Sequence, residues 1–207
     1  MAHDVLIEIQ ANNEWRDGEF AKYRINANHV DPVLWCRMCI PMIYAHWEGF
    51  VVDSFKVLLC HLNRLDLPPA QTPMNLVVVS LGDSYRSLSG KQSFMQRISF
   101  TERFHQLLQV TIKFPTKIDT KSNLKTSVLS ELFDMFGLNY SRFSNLESDI
   151  NRLVSIRNSI AHGENNIQPS PKNIDNFINS VRAAMDILLE EFDTFLNQKM
   201  YSLKNTA

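Results

Sequence analysis

The chain of 207 residues contains no run of 18 or more uncharged apolar residues, so no membrane-spanning helix is expected. Its opening, MAHDVLIEIQ, lacks a basic stretch ahead of a long apolar core, and no signal peptide is expected either. There are only three cysteines, Cys36, Cys39 and Cys60. That odd set fits free thiols in a reducing cytoplasm better than a disulfide framework. A dominant charge is missing too: 21 Lys and Arg against 22 Asp and Glu leave a net charge of −1. A surface this neutral is not coated for nucleic acid, so any RNA must be held by a local patch or a cleft. Neither G-x-x-x-x-G-K-[ST] nor G-x-G-x-x-G occurs, and no nucleotide-phosphate loop is indicated. Internal repeats and low-complexity tracts are also missing.

What is present reads as helix. The chain is 44% hydrophobic and 21% charged, enough for one sizeable core or at most two small domains. The six glycines and eight prolines cluster between periodic segments. Residues 4–27 form a weakly patterned helical segment that NANHVDP ends. Residues 32–64 are too long for a strand and apolar on most faces, which predicts a central buried helix kinked by Pro41. LDLPPAQTP breaks the chain. Residues 73–113 read as helical, although NLVVVSL has the composition of a strand. FPTKIDTKSN is a polar loop, and LKTSVLSELFDMFG a short amphipathic helix closed by Gly137. Leu146, Ile150, Leu153, Arg157 and Ala161 share one face of the next helix. Ser170 as N-cap and Pro171 at the first position start the last one, striped by Ile174, Phe177, Ile178, Val181, Met185, Leu188, Leu189, Phe192 and Phe195. The expected fold is an all-α bundle of about six helices.

Polar chemistry concentrates in LVSIRNSIAHGENN, residues 153–166. Arg157 continues a buried stripe, where a charge needs a partner or an anion. Asn158 and His162 lie four residues apart beside it, so the three groups share a wedge of roughly 140° at a helix C-terminus. Gly163 is placed to end that helix in the left-handed conformation. Two readings fit the spacing alone. In one, Arg157 pairs with an acid and His162 caps the helix. In the other, the arginine, amide and imidazole hold a phosphate and move a proton.

RNSIAHGE resembles the Arg-polar-x3-His motif of the HEPN superfamily of small all-α domains. With SNLKTSVLSELFDMFGL and MIYAHWEGFV, it is similar to the HEPN group encoded beside bacterial toxin–antitoxin and restriction loci. The resemblance covers roughly residues 30–200. It is clearest over 30–64 and 120–200, weakest over 66–112, and implies a single HEPN-like domain over 1–207. It further implies a metal-independent endoribonuclease without cofactors, acting as a toxin or antiviral defence effector. Arg157 would bind the scissile phosphate, His162 would act as general acid or base, and Asn158 would orient one of them. The ribose 2′-OH is then the nucleophile, which excludes DNA. The implied partners are RNA, a second copy of the chain whose motif faces a shared cleft, and a cognate antitoxin or restriction protein. Some superfamily members bind without cutting. A non-catalytic RNA- or nucleotide-binding domain therefore stays open, as does a helical protein-interaction module in which Arg157 and His162 are structural.

Glu48 is the fourth candidate. It lies in AHWEGF, and a carboxylate in so apolar a segment wants a cation. Arg157 is the expected partner, because the resemblance sets this helix beside the motif helix. Arg37, Lys56 or a solvent-facing gap are the alternatives. His46, on another helical face, reads as a core or interface histidine. Cys36 and Cys39 lie one turn apart inside an apolar helix, which argues against a metal site with Cys60 and His61. Lys113, Lys117, Lys121 and Lys125 recur every four residues, as a solvated face or an RNA path. The largely apolar helix around Trp35, Trp47 and Phe50 suits dimer surface or core packing alike.

Overall fold

A computed structural model describes residues 2–82, 91–165 and 167–203. These form eight α-helices and no strand: α1 (Ala2–Asn13), α2 (Trp15–Asn26), α3 (Pro32–Arg64), α4 (Met74–Leu81), α5 (Phe94–Leu107), α6 (Thr126–Phe136), α7 (Glu147–Ala161) and α8 (Pro171–Asn197). The all-α expectation holds, and the helix count exceeds the expected six. Among the described residues no helix is long and apolar enough to cross a membrane.

The 33-residue α3 is the axis of the molecule. Asp31 starts it by accepting hydrogen bonds from the amides of Val33 (3.1 Å) and Leu34 (2.9 Å), ahead of Pro32 at the first turn. The helix runs on through Pro41. Its buried residues include Cys36, Ile40, Ile43, Trp47, Val51, Phe55, Leu58 and Leu62, and it packs against α8, α7 and α1. In α8, every residue of the predicted stripe is buried except half-buried Leu189. Ser170 begins α8 as expected, its amide bonded to Asn173 Oδ1 at 3.0 Å. Gly137 ends α6 with φ +68°, and Phe133 and Phe136 of that helix pack against Phe143 and Phe55.

Two segments depart from the sequence reading. Residues 4–27 are two helices, not one, interrupted at Glu14. The break lets Arg16 turn inward, where it donates to Asn13 Oδ1 (2.7 Å) and reaches His46 Nδ1 (3.3 Å) and Asp53 (3.3 Å) on α3. Residues 73–113 are not helical throughout. α4 stops before Gly82 and α5 spans Phe94–Leu107, while residues 83–90 of that stretch lie outside the described ones. α5 begins with a reciprocal Ser93–Gln96 capping box and has no buried residue; only its half-buried Phe104 and Leu107 pack on the core.

Candidate active site

Ile150, Leu153, Val154 and Ile156 are buried and pin α7 against α3 and α8. Beyond them the helix reaches the edge of the core, so Arg157 and Asn158 are half-buried while Ala161 and His162 are exposed. The helix then closes through backbone alone. Gly163 takes φ +76°; its amide bonds to Ile160 O (3.0 Å), and that of Glu164 to Ser159 O (2.9 Å). This is the Schellman arrangement, which satisfies the last carbonyls without a side chain.

The Arg157 guanidinium carbon lies 4.4 Å from the centre of the Tyr44 ring on α3. Its Nη1 donates to Asn158 Oδ1 at 2.9 Å, and Asn158 Nδ2 donates to Asn123 Oδ1 at 3.2 Å. Among the described residues Arg157 makes no ion pair, and the His162 ring makes no hydrogen bond. Most N–H donors of a half-buried cation are thus left for a ligand.

Tyr44 is itself buried and accepts the Leu124 amide at 2.9 Å. Burial pushes its phenol up to about 12; the neighbouring Glu48 carboxylate adds to the rise, while the Leu124 amide and Arg157 oppose it. The phenol therefore stays protonated at neutral pH. Glu48 Oε1 accepts from Thr120 Oγ1 at 2.6 Å. Next to the motif, Arg37 on α3 donates to Glu164 O (2.8 Å) and Ile167 O (3.4 Å), tying down the chain that follows His162. Arg157 and Asn158 thus rest on Tyr44 and Asn123 near the end of α7, with the exposed His162 at its C-cap.

The family model RiboL-PSP-HEPN matches residues 11–197. The chain belongs to that HEPN family. The match takes in α3, residues 119–124, α7 and the chain after it, and so every residue of the site. Neither a curated protein nor a solved structure matches.

Two expectations need correcting within this HEPN fold. Glu48 does not pair with Arg157, Arg37 or Lys56 among the described residues; it bonds Thr120 instead. Arg157 has no acid partner among the described residues, although His162 does stand at the C-cap of α7, where its backbone amide bonds to Asn158 O and Ile160 O. Trp35, Trp47 and Phe50 are themselves buried in the core, the second of the two roles their helix allowed. Lys113, Lys117, Lys121 and Lys125 are all exposed, as a solvated face requires; Lys113 pairs with Asp66 and Lys121 with Glu131. His46 is a core histidine, its ring between Arg16 on one nitrogen and Tyr23 and Glu19 on the other. Cys36 and Cys39 are buried in α3, and burial pushes the Cys39 thiol up to about 11.

Tyr44, Thr120 and Asn123 escaped the sequence reading, and Arg37 entered it only as an alternative partner for Glu48. Tyr44 lies one turn before Glu48, and that spacing was the available signal. Thr120 and Asn123 sit in a loop, where spacing carries no information about neighbours.

Proposed function

We propose that this HEPN protein is a metal-independent endoribonuclease, serving as a toxin or defence effector in the cytoplasm. The reading rests above all on Arg157: a half-buried guanidinium with no carboxylate partner among the described residues, held over a buried tyrosine, with the exposed His162 five residues on. An isolated half-buried cation is costly, and an arriving phosphate would supply the missing charge.

In the proposed reaction the ribose 2′-oxygen attacks the adjacent phosphorus and the bond from phosphorus to the 5′-oxygen breaks. The products are a 2′,3′-cyclic phosphate and a 5′-hydroxyl. His162 takes the 2′-OH proton or delivers one to the leaving 5′-oxygen. Arg157 neutralises the charge growing on the phosphoryl oxygens. Asn158, bonded to both Arg157 and Asn123, fixes the guanidinium, and Glu48 supports Tyr44 beneath it.

One protomer supplies a single set of these groups, whereas in-line displacement needs a base on one side of phosphorus and an acid on the other. A two-fold dimer would bring a second set to the cleft by reusing one patch. Leu34, Met38 and Met42 favour that assembly: they form an exposed apolar stripe on α3, roughly 100° around the helix from Arg37, Tyr44 and Glu48. Partner proteins encoded nearby, an antitoxin or a restriction subunit, would then act on this cleft.

The deciding experiment incubates total RNA with the wild type and with His162→Ala, each with and without EDTA. The expected result is cleavage by the wild type in both conditions and loss with His162→Ala. Activity abolished by EDTA and restored by Mg²⁺, or equal cleavage by both proteins, would sink the mechanism. RNA retention without cleavage would leave a binding domain.

A further inference from the structure

Residues 119–124 are fastened to both helices that build the site. Thr120 is tied to Glu48, Asn123 to Asn158, and the Leu124 amide to the Tyr44 hydroxyl. Between these three fixed points Lys121 and Ser122 project into solvent. Both have left-handed backbone, with φ of +54° and +51°. Neither is glycine, asparagine or aspartate, the residues for which that conformation costs least. Non-glycine residues with positive φ occur at four described positions, Asp66, Lys121, Ser122 and Lys199, and the adjacent pair is the one at the site. The tip is held in shape from within as well: Asp119 Oδ1 accepts the Lys121 amide at 2.8 Å. Adjacent strained residues persist where the surroundings over-determine them, and such strain gathers at ligand-contacting segments.

We propose that the Lys121–Ser122 tip is a wall of the RNA cleft that reads the nucleotide adjoining the phosphate held by Arg157. The proposal rests on the ribonuclease reading above. The exposed Ser122 hydroxyl, both donor and acceptor, is the group that meets a ribose hydroxyl or a base edge. Lys121 contributes shape more than charge, since its ammonium is engaged by Glu131. The exposed Lys125, three residues on, has no carboxylate partner among the described residues and is placed for the next phosphate along the strand. Arg157 and His162 thus decide whether a phosphodiester is cut, and the tip decides which one.

The test separates reading from folding. Ser122→Gly relieves the left-handed strain, so it should melt no lower than the wild type. Ser122→Ala keeps the strain and removes only the hydroxyl. Cleavage sites on total RNA are mapped by sequencing the new 5′-hydroxyl ends. Both variants should redistribute the sites and raise KM about three- to tenfold, the equivalent of one ordinary hydrogen bond, with kcat little changed. In parallel, His162→Ala protein is photocrosslinked to an oligoribonucleotide carrying 4-thiouridine, and the adducts are located by mass spectrometry; adducts within residues 120–125 are expected. Unchanged sites and KM in both variants, or adducts confined to other segments, overturn the tip assignment while leaving the nuclease intact. The absence of both cleavage and crosslinking overturns the nuclease reading and the tip with it.

Discussion

Arg157 and Tyr44 meet face-on to an aromatic ring rather than through an ion pair, the guanidinium carbon 4.4 Å from the ring centre. A ring face attracts the cation by about 0.5–2 kcal/mol without consuming its N–H donors. A carboxylate in the same place would hold the arginine more firmly and leave less of it for a phosphate.

Tyr44→Phe preserves the ring beneath Arg157 but strips the Leu124 amide of its acceptor. It should lower stability by about 1–3 kcal/mol, measured by urea unfolding. Tyr44→Ala removes a buried ring and should cost about 3–5 kcal/mol, with a larger fall in RNA cleavage than Tyr44→Phe. Identical unfolding midpoints for wild type and Tyr44→Phe would mean the hydroxyl is not holding the loop.

His162→Ala should unfold with the wild type, because the α7 end is closed by backbone bonds and the ring is exposed. Its cleavage rate should fall by about 10²–10⁴. Expressed in a bacterial host, the wild type should slow growth and His162→Ala should not. Gly163→Ala should show the opposite profile in vitro, losing about 1–2 kcal/mol of stability at φ +76°. Equal growth inhibition by wild type and His162→Ala would argue against catalysis as the cause of harm.

Stability should decline in mild acid. His46 Nδ1 faces the Arg16 guanidinium, which has only donors, so that nitrogen must accept and Nε2 carries the proton toward Tyr23 and Glu19. Burial first, then Arg16, hold the His46 pKa below its ordinary value, against the pull of Glu19; Asp53 is the remaining charge on Arg16. In the unfolded chain the imidazole titrates near about 6.5. Below that pH the unfolded state binds a proton that the folded state refuses. The stability present above about pH 6.5 is therefore lost as pH falls through the folded pKa. His61, lowered by burial and by Arg64, adds in the same direction. Urea midpoints at pH 7.5 and 5 should differ, and His46→Gln should narrow the gap. A wild type equally stable at both values would contradict this.

Subunit mixing tests the composite cleft. Arg157→Ala and His162→Ala proteins, each inactive, are refolded together, and the mixture should regain partial activity. Light scattering should report twice the chain mass for the wild type, and Met38→Asp on the exposed α3 stripe should shift it toward monomer with loss of cleavage. A monomer fully active at nanomolar concentration would rule out the shared site.

The parts legible in the sequence were those whose signal is periodic. Ile174 through Phe195 announced α8 at helical spacing, and Ile150, Leu153 and Arg157 announced the face of α7 that runs from core to edge. The interruption at Glu14 left no trace, because the turn there uses neither glycine nor proline. At the site, Arg157, Asn158 and His162 were readable because one helix carries all three. Tyr44 carried no signal of its own beyond its place one turn before Glu48, and it is buried in the core. Glu48 stood out correctly as a carboxylate in an apolar helix. Its partner was misassigned, because Thr120 lies 72 positions away in a loop. The contacts that support Arg157 come from three separate segments, and no local pattern records such a meeting.

The backbone closure after His162 has a consequence for how such domains diversify. Because that imidazole holds up nothing, replacing it leaves the architecture untouched. Arg157, by contrast, is packed on a ring and laced to Asn158 and Asn123, so losing it disturbs its surroundings. In the proposed nuclease a cutter and a silent RNA clamp would stand one codon apart, and the change that disarms it would be the one its folding does not notice.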